Sequence, residues 1–263
     1  MTSVALGDQP VVSNADVRRN LDQIDAGEFN AAKESSPQRT GRRPGHLVVG
    51  YSMLNYLEAE LPPSASRYLR ESMFGGDAAA AHILTINTPR RWQGLIALAA
   101  YYLGTPIAAY RAILEHVWSH ASPTLQSEAN WDLRLLRSMF RAGRFEVPLT
   151  GVHKVYRGVG GIDRKAAIRG LSWTTSRDVA CWFALSQTYG SREPLVVTAE
   201  VDARDIIYFD NGRSEAEVIL RRIPSAVVDA DRSSWKDTAE RQKFEIQSRN
   251  VEAFERLAER FHS

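Results

Sequence analysis

Asp210-Asn211-Gly212-Arg213-Ser214-Glu215-Ala216-Glu217-Val218-Ile219-Leu220 opens on an Asn-Gly turn signal and runs out as an apolar, β-branched strand. Alternation along a strand over 215–220 puts Glu215 and Glu217 on one face and Ala216 and Val218 on the other. Two carboxylates that close repel each other, so the pair calls for a cation, a hydrogen-bond network or a chemical purpose. Taken alone it also suits the solvated edge of an ordinary sheet.

Working outward, the same β texture covers the chain from Pro148 onward. Strands are expected over 152–157, 171–175, 194–201 and 206–209, with a short one at 226–228 and a helix over 178–187 between the second and third. An amphipathic helix is expected over 235–261, its apolar side carrying Phe244, Val251, Phe254, Leu257 and Phe261. Residues 46–148 instead read as helices punctuated by Pro62-Pro63, Gly75-Gly76, Pro89, Pro106 and Pro123. Trp92, Leu95, Ile96, Ala99 and Leu103 recur at helical spacing, as do Ala109, Ile113 and Val117, and then Leu133, Leu136 and Phe140. These stripes read as core. The fold class is therefore α+β: a tail over 1–45, a helical part over 46–148, and a β-rich part with a C-terminal helix over 149–263. In the tail, Ser13-Asn14-Ala15-Asp16 suits a helix cap, and 38–44 is a small basic spacer.

Composition narrows the function classes. A chain of 263 residues can bury a substantial core. The net charge of +2 is nearly neutral, so a nucleic-acid partner would need a local patch. The single cysteine, Cys181, excludes intramolecular disulfides and cysteine-built zinc sites and suits a reducing compartment. His46, His82, His116 and His120 make no convincing metal set; no metal is expected. The longest apolar run, Gly94 to Leu103, is about half of what spans a bilayer, and the N-terminus lacks a signal-peptide pattern. No membrane association and a cytoplasmic location, of the producer or of a targeted cell, are expected.

Three elements then stand in order: Val155-Tyr156-Arg157-Gly158, Gly170-Leu-Ser-Trp-Thr-Thr-Ser-Arg-Asp-Val-Ala-Cys-Trp-Phe-Ala184, and Glu215-Ala216-Glu217. Arg, then Ser-x-Thr ahead of Val-Ala-x-x-Phe-Ala, then Glu-x-Glu resembles the Arg-Ser-Glu class of mono-ADP-ribosyltransferases over roughly Val152–Val228. The resemblance implies a split β-sheet core and NAD as the substrate. Arg157 would grip its pyrophosphate, with Tyr156, Gly158, Ser172 and Thr174 around the dinucleotide and Tyr189 and Arg192 on a covering loop. It assigns Glu217 to the ribose and the developing cation, Ser172 to bracing Glu217, and Glu215 to the incoming nucleophile. Where the common wording is Ser-Thr-Ser, this chain has Ser-Trp-Thr.

The residue types fit that chemistry. A guanidinium holds phosphate oxygens through paired charge-assisted bonds, and a carboxylate opposes the oxocarbenium-like charge that forms as nicotinamide leaves. Glu at the earlier position goes, in the family, with arginine as acceptor, so a protein target is expected. A nucleic-acid acceptor, hydrolysis of NAD by water, and a degenerate interaction module are the alternatives. Tyr208 or Phe209 would seat the acceptor, though either equally suits packing. Stand-alone bacterial or phage members act as toxins or effectors, and the helical part is open to packing, target docking or an inhibitory partner.

Overall fold

The computed structural model describes residues 44–186, 193–212 and 215–244. The capping run at 13–16, the basic residues 38–43, Tyr189, Arg192, Val251, Phe254, Leu257 and Phe261 lie outside the described residues. The chain divides into two compact units, one ending at Asp132 and the other beginning at Leu133. The division falls before Pro148, where the sequence texture changes, because the helix after Asp132 packs on strands of the second unit.

The first unit contains α1 (Pro44–Glu60), α2 (Pro63–Arg70) continued by a π-turn (Glu71–Gly75), α3 (Ala78–Asn87), α4 (Arg90–Leu103) and α5 (Ile107–Glu128). Local chemistry sets their ends. Pro63 sits in the first turn of α2, where its missing N–H is harmless. Asp77 caps α3, its Oδ1 accepting from the amides of Ala79 at 2.7 Å and Ala80 at 3.3 Å. α5 breaks at Ala121 (φ −142°), two residues before Pro123, whose ring cannot follow an unbroken helical ladder. The expected stripes of this unit are core except at Trp92, which is half-buried: Leu95, Ile96, Ala99, Leu103, Ala109, Ile113 and Val117 are buried, and α4 packs along α5.

Three histidines line one seam of this unit. His82 on α3 lies 5.8 Å, centroid to centroid, from His116 on α5, which stacks on His120 at 4.4 Å. Burial first, then the neighbouring His120 and His82, hold the His116 imidazole below its ordinary value. A base with a depressed folded-state pKa takes up its proton more readily when the chain is unfolded. Stability is therefore lost as pH falls from the unfolded histidine value, about 6.5, toward the lower folded one. Melting followed by circular dichroism between pH 8 and pH 5 is expected to show this loss, and His116→Gln to flatten it.

The second unit contains α6 (Leu133–Gly143), β1 (Val152–Gly160), α7 (Arg164–Arg169), β2 (Ser172–Thr174), α8 (Arg177–Ser186), β3 (Pro194–Asp202), β4 (Ile206–Asp210), β5 (Glu217–Leu220) and β6 (Val227–Val228). A 3-10 turn (Arg232–Ser234) then leads into a helical segment over 235–244. The strands form one antiparallel sheet in the order β4-β5-β2-β1-β3-β6, so a single sheet replaces the expected split core. The seam is thin at β1–β2, where Tyr156↔Thr174 is the only register pair among the described residues. Helices and an antiparallel sheet together confirm the α+β class.

Strand alternation sorts the apolar residues onto two faces. Val155, Val159, Trp173, Val197, Ala199, Val218 and Leu220 form one core cluster with Ala167 of α7. Val196 on the other face meets Ala180, Cys181 and Ala184 of α8 together with Trp235 and Ala239. An ionic clip fastens the start of α8: Arg177 donates to Asp229 at 2.6 and 3.0 Å, and the Trp235 indole donates to the same carboxylate oxygen at 2.7 Å. The thiol of Cys181 is pushed up to about 11, chiefly by burial, which keeps it unreactive. In the final helical segment the inward residues are Trp235, Thr238, Ala239 and Gln242, while Phe244 is 71% exposed. Phe244 is thus not on the buried side to which the apolar pattern assigned it. No helix among the described residues is long and apolar enough to cross a membrane.

Candidate functional site

The sheet register brings the sequence motifs together. Thr198, Tyr156, Thr174, Glu217 and Asp210 pair successively across β3, β1, β2, β5 and β4, forming one polar row on one face of the sheet. Ser172 stands two residues before Thr174 and shares that face. Its hydroxyl donates to Oε1 of Glu217 at 2.5 Å, a short charge-assisted bond between adjacent strands. Glu217 itself is only 6% exposed. A carboxylate this enclosed is held by its neighbours in one geometry rather than left to solvent.

Arg157 follows Tyr156 on β1, and alternation places its Cα–Cβ bond on the opposite face, with Val155 and Val159. Its guanidinium folds toward β2 and donates from Nη1 to the carbonyl of Ser172. Gly170 makes room for it: a Cβ there would lie 2.2 Å from the guanidinium carbon. Burial brings the Arg157 guanidinium down to about 10, the nearby Glu217 carboxylate opposes that shift, and the Arg137 charge adds to it. Nε of Arg157 is buried with no hydrogen-bond partner among the described residues. Arg157 therefore braces the main chain of the residue whose side chain braces Glu217. Arg157, Ser172 and Glu217, far apart in sequence, are brought into one connected set.

Glu215 is placed differently from its sequence expectation. β5 begins at Glu217, and Ala216 adopts φ +44°, the left-handed region that an alanine rarely occupies. The break removes the strand alternation that would have put Glu215 and Glu217 on one face. Its cause is a set of turn bonds: Thr174 Oγ1 donates to the Glu215 carbonyl at 2.5 Å, and the Thr175 amide donates to the Ala216 carbonyl at 3.0 Å. Glu215 is half-buried at the mouth of this turn.

The remaining assigned residues divide between packing and the site. Tyr156 is half-buried and packs against the cluster of Ala180, Cys181, Ala184 and Val196, on the α8 side of the sheet. Gly158 seats α8 on β1, since a Cβ there would lie 1.6 Å from the Ala180 carbonyl oxygen. Tyr208 is 3% exposed, with its ring 5.0 Å from Phe140 and 4.9 Å from Phe145, centroid to centroid, so it is a packing residue. Phe209 is half-buried and packs on the cluster that contains Trp173 and Val218. Among the described residues no group of three or more histidines, cysteines or carboxylates is placed to hold a metal ion.

Arg137 on α6 is a member of the site that the motifs did not point to. It is 6% exposed and donates from Nη2 to the carbonyls of Arg169 at 3.0 Å and Gly170 at 3.1 Å, holding the turn that leads into β2. Trp173 Nε1 donates to the same Gly170 carbonyl at 3.3 Å. The one sequence signal was position: Arg137 falls on the apolar stripe of its helix, next to Leu136 and three residues before Phe140. An arginine there must find buried acceptors. In comparisons with known proteins, no family model, curated protein or solved structure matches this chain.

Proposed function

We propose that the chain is a mono-ADP-ribosyltransferase, with an ADP-ribosyltransferase-like catalytic core in its second unit, that moves ADP-ribose from NAD to a macromolecular acceptor, an arginine side chain being favoured. The observation that carries this reading is the Ser172 hydroxyl donating to the buried Glu217 carboxylate, with Arg157 bonded to the Ser172 main chain. An ordinary sheet edge gives no reason to bury a carboxylate and fasten it by a dedicated hydroxyl. A site that opposes developing positive charge needs its carboxylate fixed beforehand.

NAD fits the residues present in one specific respect. Arg157 has a buried Nε–H with no partner among the described residues, so its guanidinium has donor capacity left for an anion. Arg157 would hold the pyrophosphate, and Glu217 would hold the ribose hydroxyls beside the reacting carbon. The bond from the ribose C1′ to the nicotinamide nitrogen breaks, and its electron pair leaves with that nitrogen, neutralising the pyridinium. Glu217 faces the resulting oxocarbenium-like charge. A guanidine nitrogen of the acceptor bonds to C1′ and gives up one proton, which Glu215 accepts and passes to solvent.

The test is incubation of the full chain with NAD labelled in its adenylate part and a cell lysate, followed by separate protease and nuclease digestion. Label on protein, released by neutral hydroxylamine as an arginine linkage is, is the expected result. Label removed by nuclease moves the acceptor to nucleic acid, and free ADP-ribose alone makes the chain an NAD glycohydrolase. No consumption of NAD under any condition overturns the proposal.

A further inference from the structure

We propose that Thr174 and Asn211 are positioning residues that latch the backbone between the two glutamates and thereby set the partition of ADP-ribose between a guanidine acceptor and water. The inference rests on the function proposed above and goes further by naming what controls the acceptor step. Its basis is the left-handed Ala216, φ +44°, between a half-buried Glu215 and a buried Glu217. An L residue leaves the favoured regions only where its surroundings hold it there, and such outliers concentrate at working sites.

Here the restraints come from both sides. From β2, Thr174 Oγ1 donates to the Glu215 carbonyl at 2.5 Å and accepts from the Ser176 amide at 2.9 Å, so the hydroxyl proton has one direction to point. The Thr175 amide donates to the Ala216 carbonyl at 3.0 Å. From the turn after β4, Asn211 Oδ1 accepts from the Ala216 amide at 3.2 Å. That turn is itself folded tightly, the Gly212 amide donating to Asp210 Oδ1 at 2.7 Å.

Consecutive peptide groups, at Glu215 and Ala216, are thus each tied to a fixed partner. Glu217 has its own separate brace in Ser172. The Ser172 bond acts on the Glu217 side chain, and the latch bonds act on the main chain at Glu215 and Ala216. Loosening the latch displaces Glu215 and leaves Glu217 in place, so deprotonation of a bulky guanidine nucleophile suffers while cleavage by small, mobile water persists.

The experiment measures two products from NAD, the adduct with agmatine as a soluble guanidine acceptor and free ADP-ribose, in Thr174→Val, Thr174→Ser and Asn211→Ala. Thr174→Val and Asn211→Ala are expected to lower the ratio of adduct to free ADP-ribose about tenfold, with KM for NAD unchanged in Asn211→Ala, and Thr174→Ser to restore it. Adduct and hydrolysis falling in parallel, or an unchanged ratio in Asn211→Ala, overturns the latch. Asn211 is exposed, so that variant keeps the test valid if Thr174→Val does not fold. A wild-type chain that forms neither product sinks the proposed function instead. The latch is then judged by amide exchange alone: faster exchange at Thr175 and Ala216 in Asn211→Ala supports it, and unchanged exchange overturns it.

Discussion

Replacing Glu217 by Gln is expected to lower nicotinamide release from NAD by about 100- to 1,000-fold while the protein stays folded, the size seen when one preorganised electrostatic group is removed. Gln keeps the volume and an oxygen that can still accept from Ser172 Oγ, so the local geometry survives. What is lost is the negative charge that, in the proposed function, faces C1′ as the nicotinamide leaves. The same change leaves the buried Arg157 guanidinium without the carboxylate that opposes its deprotonation. A modest fall in melting temperature should accompany the loss, and circular dichroism checks that it remains modest. Ser172→Ala removes the brace and not the charge, so its loss is expected to be about 10- to 100-fold, the range for outer groups that orient a catalytic one. Release within about threefold of wild type in Glu217→Gln would remove the carboxylate from the chemistry, since electrostatic groups of this kind contribute far more than that.

Legibility in the sequence followed how local each cause is. The strands at 152–157, 194–201 and 206–209 could be read because alternation is written in adjacent residues, and each lies within an observed strand; the helix expected at 178–187 matches α8 as far as Ser186, and Gln187 lies outside the described residues. The pairing of Ser172 with Glu217 was expected from the resemblance and is present as a hydrogen bond across β2 and β5. Arg137 was hidden because its partners are two carbonyls more than thirty residues away, and no pattern in α6 encodes them. The turn at Ala216 was hidden for a related reason. Period-2 alternation extends naturally back to Glu215, whereas bonds from Thr174, Thr175 and Asn211 hold Ala216 out of the strand, which begins at Glu217. Phe244 shows the same limit from the other side, because apolar spacing over a long helix does not reveal which face its first turns bury. Tertiary hydrogen bonds and packing phase, not propensity, account for each difference.

Gly158→Ala and Gly170→Ala are expected to fail in opposite ways, which separates the fold from the site. At Gly158 a Cβ would lie 1.6 Å from the Ala180 carbonyl oxygen, 2.6 Å from its carbon and 2.9 Å from the Ala184 amide nitrogen. Every one of these atoms is backbone of α8, so the clash is relieved only by lifting the helix from β1. That seam also carries the Ala180, Cys181, Ala184 and Val196 cluster. A cost of at least about 3 kcal/mol follows, at the upper end for overpacked cores. In a unit of this size that is a fall in melting temperature of roughly 6–12 °C. At Gly170 the atoms met are Cζ, Nε and Nη2 of Arg157, the movable end of a long side chain. Gly170→Ala should therefore keep its melting temperature within about 4 °C, roughly 1 kcal/mol, and instead push the guanidinium off the Ser172 carbonyl. KM for NAD should rise about tenfold with the loss of a positioned cation, a change near 1.4 kcal/mol. The two glycines would exchange behaviour if α8 were loosely held and Arg157 were fixed by the core, so a stable Gly158→Ala and an unfolded Gly170→Ala would overturn this assignment of roles. With the expected outcome, the close approach at Gly158 carries the fold and the one at Gly170 carries the orientation of Arg157.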